Sequence, residues 1–281
     1  MTGETADDMS SLDVAHIFSV AGKSVVVTGG ASGLGLAIAR GYAANGAIVT
    51  IVDRDQSAID NAIGALGKQA QGLVADITDR AALDAAFDRI DGDRGGIDVI
   101  FANAGIGGGP GFARPDGNPN PQGAIDDPST GDWDAVVAVN LMGVRNTLGA
   151  AARIMKRRGR GGRIIVTSSA AALVNVVFVS TAYHATKAAV AHLSRQVALE
   201  LAPYGILVNA IAPANFVTNI GDGGMSDDAV KALFASTSAL GRTAMPDEIV
   251  GLALFYGSSA SSYVTGTHML IDGGSALCKV P

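Results

Sequence analysis

Two residues four apart in a helical stretch could exchange protons with a ligand. Tyr183 and Lys187 are spaced so that both side chains project from one face of a helix. A phenol titrates at about 10, and a neighbouring ammonium group favours its ionised form. We therefore expect Lys187 to lower the pKa of Tyr183 and make proton exchange feasible near neutral pH. The pair alone is a weak signal, so its sequence context matters.

Two hydroxyl groups precede this pair at the end of an apolar run. Residues 164–167 are typical of a buried strand, and Ser168 and Ser169 follow it directly. Open parallel sheets bind ligands outside the carboxyl ends of their strands. One of these serines is therefore expected to donate a hydrogen bond to a substrate oxygen, and their spacing from Tyr183 leaves both as candidates.

A glycine-rich turn near the N-terminus could bind a phosphate group. Residues 25–35 run from an apolar strand through the turn into a helix, with Gly29, Gly33 and Gly35 in the turn. Such a turn lets the backbone approach a pyrophosphate, which amides at the helix N-terminus stabilise. Asp53 closes the next strand, where a carboxylate binds a ribose 2′-hydroxyl and repels a 2′-phosphate. This pattern predicts NAD rather than NADP, although Arg54 could partly neutralise such a phosphate.

These residues need a scaffold, and the pattern predicts one. Short β-branched runs alternate with longer alanine-rich stretches, which favours an α/β fold: a Rossmann-like, doubly wound parallel sheet of seven strands with helices on both faces. The expected strands are residues 24–27, 48–52, 73–75, 99–102, 164–167, 207–210 and 269–271. The expected helices are residues 34–45, 56–66, 80–90, 133–157, 181–201, 227–238 and 246–256.

The 281 residues suit one domain, which we place at residues 20–281 after a polar leader at 1–19. Residues 106–130 interrupt the alternation, because they contain five of the nine prolines and six glycines. A long loop of this kind is either a functional lid or a solvated insertion. The sequence leaves both open.

Composition argues against several other classes of partner. The net charge of −6 disfavours nucleic acid, and the basic stretch at 156–163 is expected to stabilise a helix C-terminus. No uninterrupted apolar run spans a bilayer, and the leader is acidic, so no membrane partner and a cytoplasmic location are predicted. Cys278 is the only cysteine and the four histidines show no metal-ligand spacing, so we expect no metal and a structural role for His184.

Together these motifs resemble the short-chain dehydrogenase/reductase family, in its single-domain subgroup of about 250 residues. The resemblance covers about residues 20–275. The matching pieces are Thr28-Gly29-x-x-x-Gly33-x-Gly35, Asn103-Ala104-Gly105, Asn140, Ser169, Tyr183-x-x-x-Lys187, Pro213 to Thr218 and Ile271-Asp272-Gly273-Gly274.

The resemblance implies four catalytic residues. Tyr183 would be the acid/base, and Lys187 would bind ribose and lower the tyrosine pKa. Ser169 would polarise the carbonyl, although its spacing from Tyr183 is one residue longer than usual and Ser168 stays a candidate. Asn140 would organise a proton-relay water. A homotetramer is implied as well.

The resemblance also implies contacts with NAD. Asp76 would contact adenine, Thr218 would hold the nicotinamide carboxamide, and Ala214 departs from the usual glycine after the proline. The full set of implied cofactor residues is Gly29, Ser32, Gly33, Leu34, Gly35, Asp53, Asp76, Ile77, Asn103, Ala104, Gly105, Tyr183, Lys187, Pro213, Phe216 and Thr218.

We expect hydride transfer between NAD and a secondary alcohol or ketone on a mainly apolar, cyclic or aromatic small molecule. Residues 173–179 carry no charge and lie between the serines and Tyr183, where the resemblance places a substrate wall. The expected substrate contacts are Ile106, Ser169, Val176, Phe178 and Tyr183, with Phe216 adding apolar surface. The valines could instead be core. An anionic substrate held by Arg114, or a non-catalytic dinucleotide sensor, are the alternative functions.

Overall fold

The computed structural model describes residues 12–114, 116–127, 131–218 and 228–277. Within these ranges seven parallel strands form one sheet in the order β3-β2-β1-β4-β5-β6-β7, which confirms the predicted fold class. The strands are β1 Ser24–Thr28, β2 Ile48–Asp53, β3 Gln71–Val74, β4 Val99–Ala102, β5 Gly162–Thr167, β6 Ile206–Pro213 and β7 His268–Ile271.

The predicted helices appear between these strands, with the ends shifted by a few residues. Asp79 caps the helix that begins at Arg80, because its carboxylate accepts hydrogen bonds from the amides of Ala81 and Ala82. Pro246 begins a short 3₁₀ turn, Pro246–Ile249, that leads into the last helix. The helices are α1 Val14–Ile17, α2 Gly33–Ala44, α3 Gln56–Leu66, α4 Arg80–Arg94, α5 Gly131–Val137, α6 Val144–Arg158, α7 Thr181–Leu201, α8 Asp228–Thr237 and α9 Val250–Gly257.

Some predicted segments reach beyond the described ranges. Residues 1–11 of the expected leader, residues 115 and 128–130 of the insertion, Asp227 and Cys278 all lie outside them.

Two apolar cores cover the two faces of the sheet. Successive side chains of a strand point to opposite faces: Val25 and Val27 of β1 pack into one core, and Val26 packs into the other. Both faces of the central strands are therefore covered, as a doubly wound sheet requires. The strand order reverses between β1 and β4, so a crevice is expected at their carboxyl ends.

The helix predicted over residues 133–157 is wrong in one respect, because it is interrupted. A π-helical segment, Ala138–Gly143, separates α5 from α6. Single π turns inside α-helices occur often at functional sites, and periodicity alone does not reveal them. Asn140 lies within this segment.

The basic stretch at the end of α6 pairs with carboxylates of α4. Arg157 and Arg158 each contact the buried carboxylate of Asp91 at 2.7 Å, and these hydrogen bonds hold the pKa of Asp91 below its usual range. Lys156, Arg157 and Arg158 lie in the last turn of this helix, as expected, and Gly159 follows them in a left-handed conformation. The charges of Arg157 and Arg158 therefore join α6 to α4.

One helical stretch, Trp133–Arg158, is long and apolar enough to cross a membrane by length and composition alone. Half of its most apolar part is buried inside the protein. Val144, Ala150 and Ile154 on it are fully buried in the core beside α4 and the sheet. This burial is what the core helix of a globular domain shows.

Candidate active site

The glycine-rich turn brings three loops into close contact. Gly29 adopts a left-handed conformation with φ of 64°, and a Cβ atom there would lie 2.7 Å from the Cα of Ala104. A Cβ on Gly35 would lie 2.1 Å from the carbonyl oxygen of Gly29. Neither position has room for a side chain, so the turn after β1 and the loop after β4 approach each other closely.

Asn103 holds this arrangement together from the end of β4. Its Nδ2 donates to the carbonyl oxygens of Thr28 and Gly29, both at 3.2 Å. Its Oδ1 accepts a hydrogen bond from the hydroxyl of Thr167, at 3.1 Å, at the end of β5. The amide thus joins three neighbouring strands, and its expected supporting role fits this geometry.

The first turn of α2 is free to receive an anion. Ser32 precedes the helix in an extended conformation, is exposed, and makes no side-chain capping hydrogen bond. Its hydroxyl and the unpaired amides of the first turn are the groups that bind phosphate oxygens at helix N-termini. Thr218 lies opposite, because a Cβ on Gly33 would be 3.8 Å from the Cβ of Thr218. The residues present therefore fit a dinucleotide.

Asp53 faces the same turn from the end of β2. One carboxylate oxygen accepts a hydrogen bond from the amide of Ala31 at 3.2 Å, and the other accepts from the amide of Arg54 at 2.8 Å. Asp53 is half-buried, while Arg54 is exposed. Two hydrogen bonds thus hold the Asp53 carboxylate beside the turn, whereas the Arg54 side chain is exposed to solvent.

Two predicted cofactor residues have side chains in the core instead. Ile77 and Phe216 are each 6% exposed and belong to the two apolar clusters. Ile77 follows β3 and Phe216 follows β6, and their side chains present almost no accessible surface to a ligand. Asp76 is half-buried and accepts hydrogen bonds from the amide and hydroxyl of Thr78.

The structure distinguishes the two serines at the end of β5. The Ser168 hydroxyl is buried and donates to the main-chain oxygen of Lys187 at 3.1 Å. The Ser169 hydroxyl instead acts on the phenol of Tyr183, whose pKa it lowers, and it accepts a hydrogen bond from the amide of Ala171 at 3.1 Å. It also lies 3.4 Å from the carbonyl oxygen of Pro213, so the end of β6 closes this side of the site. Ser169, not Ser168, is brought to Tyr183.

Lys187 is buried beneath the tyrosine but does not pair with its hydroxyl. Its Nζ donates to the carbonyl oxygen of Thr167 at 3.0 Å and lies 5.4 Å from the centre of the Tyr183 ring. Burial lowers the pKa of Lys187 to about 8.

The expected lowering of the tyrosine pKa is not seen in this arrangement. Burial raises the pKa of Tyr183, and the interaction with Ser169 offsets only part of that rise. Desolvation disfavours the phenolate, and the ammonium group of Lys187 is directed at a carbonyl oxygen instead. The electrostatic expectation drawn from helical spacing therefore omitted the cost of burial.

Asn140 holds the loop after β4 through both polar atoms of its side chain. Its Oδ1 accepts from the amide of Ile106 and its Nδ2 donates to the carbonyl oxygen of Ile106, both at 2.8 Å. Gly105 lies between the two buried polar groups, since a Cβ there would be 3.1 Å from this Oδ1 and 3.5 Å from the Nζ of Lys187. The structure thus gathers Asn140, Ile106 and Lys187 around one glycine.

The segment between Ser169 and Tyr183 is not core. Leu173 and Val177 are exposed, while Val176 and Phe178 are half-buried. The Phe178 ring meets the ring of Phe234 on α8 edge to face, with centroids 5.3 Å apart and planes at 81°. This contact gives the site an apolar wall.

His184 keeps this wall in place. Its Nε2 accepts a hydrogen bond from the amide of Val176 at 3.0 Å, and its Nδ1 lies 2.9 Å from the carbonyl oxygen of Ser180. This geometry fits a neutral imidazole with the proton on Nδ1. His184 therefore has the structural role that we expected, because both of its ring nitrogens hold the main chain. Its position next to Tyr183 in the sequence was the signal that it lies near the site.

The described part of the insertion packs against the same segment. Isolated bridges pair Pro110 with Val179 and Ala113 with Pro119, and the amide of Ala113 donates to the carbonyl oxygen of Val177 at 3.1 Å. A Cβ on Gly111 would lie 2.3 Å from that oxygen. The insertion is therefore joined to the wall by backbone contacts.

Arg114 lies near the end of this insertion hairpin. It is exposed, and its charge contributes to holding the pKa of Asp116 below the usual range, after the hydrogen bonds from Asn118. An anion approaching Arg114 would thus also meet a carboxylate.

Sequence reasoning missed two residues that shape the wall. Phe234 was assigned to a helix but not to the site, and Asn215 was passed over in favour of Ala214. Asn215 adopts the left-handed conformation, with φ of 58°, one residue after the position flagged by the sequence. Across the described ranges, no group of three or more His, Cys, Asp and Glu side chains could hold a metal ion.

Comparison with known proteins agrees with this geometry. Residues 29–276 match the family described as enoyl-(acyl carrier protein) reductase. The chain is 33% identical to the sorbose reductase SOU1 of Candida albicans, over 93% of this chain and 90% of that protein.

Two solved structures are similar throughout. A short-chain type dehydrogenase/reductase from Mycobacterium marinum has a TM-score of 0.82 and 33% identity, covering 95% of this chain and all of that one. Levodione reductase has a TM-score of 0.82 and 30% identity, covering 92% and 99%. The chain therefore belongs to the short-chain dehydrogenase/reductase family and is an oxidoreductase of secondary alcohols or ketones that uses a nicotinamide dinucleotide.

Proposed function

We propose that this protein is an NAD-preferring dehydrogenase that interconverts a secondary alcohol and its ketone on a mainly apolar, cyclic or aromatic skeleton. The observation that carries the chemistry is the approach of Ser169, at the end of β5, to Tyr183, with Lys187 buried beneath them. These residues lie at the same end of the sheet as the glycine-rich turn, where the dinucleotide would bind.

A bound nicotinamide ring would accept the hydride from the carbinol carbon in oxidation and return it to the carbonyl carbon in reduction. In alcohol oxidation the phenolate of Tyr183 takes the hydroxyl proton, and in ketone reduction the phenol returns it. Ser169 donates to the substrate oxygen, where charge develops. Lys187 would bind the ribose of the bound cofactor, and its ammonium group, mostly charged below the pKa of about 8, favours the phenolate. The side chain of Asn140 holds Ile106 and keeps one N–H donor and one oxygen lone pair with which it would bind a relay water.

The apolar wall supports the substrate class. The rings of Phe178 and Phe234 meet edge to face. Half-buried Val176 lies between exposed Leu173 and Val177 in the chain. A charged group desolvated against this wall without a partner would cost several kcal/mol, on the order of 2–7 even for a neutral polar group. Levodione reductase, similar in structure, is named for a ketone.

A polyol or ketose substrate is the second candidate, favoured by the similarity to sorbose reductase. The deciding experiment compares kcat/KM with NAD for a cyclic secondary alcohol, such as cyclohexanol, and for an open-chain hexitol. We expect the cyclic alcohol to be preferred. A clear preference for the hexitol would replace the proposed substrate class, and a preference for an anionic alcohol that disappears in Arg114→Ala would indicate an anion site.

The cofactor preference is tested at Asp53. We expect kcat/KM to be higher with NAD than with NADP by at least about tenfold, since the fixed carboxylate would face a 2′-phosphate. Asp53→Ala should narrow the ratio, and Asp55→Ala, an exposed carboxylate that caps α3, is the matched control. A preference of the wild type for NADP would refute the assignment.

The direction of the pKa shift at Tyr183 sets the pH dependence. Burial raises this pKa, so the phenolate needed for alcohol oxidation is a minor species at neutral pH. Below the pKa of Tyr183 the phenolate fraction grows about tenfold per pH unit, so kcat/KM for oxidation should rise from about pH 6 to about pH 8, above which Lys187 loses the charge that favours the phenolate. Ketone reduction needs the phenol and should not rise over that range. A flat profile for oxidation would contradict this assignment.

We further propose a homotetramer. The helical stretch holding α5 and α6 exposes Trp133 and Met142, and α7 exposes Leu199 with 73% of its surface accessible. Singly exposed apolar side chains are common on monomers, so the resemblance to the family carries most of this proposal. Light scattering should give about four times the 28.2 kDa chain mass, and a stable monomer would disprove the proposal. A cytoplasmic location remains the prediction of the sequence.

A further inference from the structure

Asn215 has an unusual backbone conformation in the loop that leaves β6. Within the described ranges it is the one non-glycine residue with a positive φ, at 58°. Asparagine tolerates this left-handed region better than most residues. The conformation occurs two residues after Pro213, whose carbonyl oxygen faces Ser169.

The side chain of Asn215 is bonded to α8. Its Nδ2 donates to the carbonyl oxygen of Phe234 and to the hydroxyl oxygen of Thr237, both at 3.1 Å. On its other side, the main-chain oxygen accepts from the amide of Ala244 at 2.9 Å. The left-handed turn thus directs the amide toward the last turn of α8 while the backbone stays tied to the chain that follows the helix.

This bond links the catalytic end of the sheet to the apolar wall. Phe234, whose carbonyl oxygen Asn215 binds, is the residue whose ring meets Phe178. Phe178 lies between Ser169 and Tyr183 in the chain. The placement of α8 relative to Ser169 therefore depends on a short path: Pro213, the turn at Asn215, and Phe234.

We propose that Asn215 is a positioning residue that holds α8 so that Phe234 closes the substrate pocket against Phe178. The inference rests on the proposed function, because it takes the Phe178–Phe234 contact as part of that pocket. The hydrogen bonds from the side-chain amide of Asn215, rather than its left-handed backbone conformation alone, hold α8 in place. Losing it should loosen α8 and weaken substrate binding while leaving the reacting groups in place.

Two variants separate the amide from the backbone. Asn215→Gly keeps access to the left-handed conformation and removes the amide. Asn215→Asp keeps the size but places a carboxylate oxygen against the carbonyl oxygen of Phe234. In both we expect KM for the substrate to rise by about tenfold with kcat within about twofold of wild type. The NADH dissociation constant, measured by fluorescence titration, should stay unchanged.

Asn45→Asp is the matched control. Asn45 Nδ2 also donates to a carbonyl oxygen, that of Gly41 at 2.8 Å, at the exposed end of α2. The chemical change is the same but is remote from the wall, so KM should not change.

Hydrogen exchange provides the readout that activity alone does not. Amides of residues 228–237 should exchange faster in both Asn215 variants and at the wild-type rate in Asn45→Asp. In a Phe234→Ala background, Asn215→Asp should add no further rise in KM, because the contact it positions is gone. Unchanged exchange in α8, or fully additive effects on KM, would overturn the proposal.

The two levels of inference can be distinguished. KM is measured with whichever alcohol the wild type oxidises best. If that alcohol is a hexitol, the proposed substrate class fails, whereas the role of Asn215 stands or falls on the KM ratio, the exchange rates and the double variant.

Discussion

Tyr183→Phe is expected to lower kcat by about 10² to 10⁴, the range contributed by a positioned general acid or base. The substitution removes one oxygen atom from a half-buried ring and leaves its packing over Lys187 unchanged. In the wild type the Ser169 hydroxyl acts on this oxygen. Because only the group that transfers the proton is lost, cofactor binding should persist.

The measurement pairs turnover with binding. NADH titration should give a dissociation constant for Tyr183→Phe close to that of the wild type, while Lys187→Ala should impair both binding and turnover. Tyr263→Phe is the control, since Tyr263 is fully exposed and the same atom is removed far from the site. Activity of Tyr183→Phe within about tenfold of wild type would exclude the proton-transfer role.

Loss of turnover in Tyr183→Phe excludes a non-catalytic sensor only when the wild type itself turns over. A sensor would bind the dinucleotide in both forms and show no turnover in either. The wild-type rate with NAD and a secondary alcohol is therefore the necessary companion measurement.

The sheet and the glycine-rich turn could be predicted because their signals are local. Val25 to Val27 alternate between two cores and so form a continuous apolar run, which is typical of a parallel strand buried on both faces. Gly29 and Gly35 are required by contacts at close range along the chain and from the neighbouring loop. Such constraints leave few other residue types, so they are visible in one sequence.

What depended on tertiary surroundings could not be predicted. The direction of Phe216 follows from which core the loop packs on, and the raised pKa of Tyr183 follows from burial by elements distant in sequence. The π-helical segment around Asn140 lies inside one long helical stretch and is set by i→i+5 hydrogen bonds, which the periodicity of apolar residues does not locate.

The departure from the family pattern at Ala214 illustrates the limit. The sequence marked the residue where glycine was absent, and the structure shows that the left-handed conformation falls on Asn215 instead. A side chain able to adopt that conformation and to bond α8 stands at the next position. The resemblance located the loop but not the residue that shapes it.

Gly35→Ala should weaken NADH binding by at least about tenfold, which corresponds to about 1.4 kcal/mol. The added Cβ would lie 2.1 Å from the carbonyl oxygen of Gly29 and 2.5 Å from the Nδ2 of Asn103. A backbone oxygen cannot move aside as a flexible side chain can, so the turn must open. Asn103 would then lose its hydrogen bonds to the ends of β1, and the amides that receive the pyrophosphate would be displaced.

Helix propensity predicts that Gly35→Ala raises the stability of the protein, whereas the close contacts of the added Cβ predict that it lowers the stability, so a melting measurement distinguishes the two effects. Alanine in place of glycine inside a helix stabilises by about 0.5–1 kcal/mol, whereas overpacking costs about 1–3 kcal/mol. Gly64→Ala in α3 isolates the first effect, because nothing lies within 4 Å of a Cβ there. We expect the melting temperature to rise or stay level for Gly64→Ala and to fall for Gly35→Ala. If Gly35→Ala instead gained stability and kept its affinity for NADH, the close approach of α2 to the turn would not be what shapes the cofactor site.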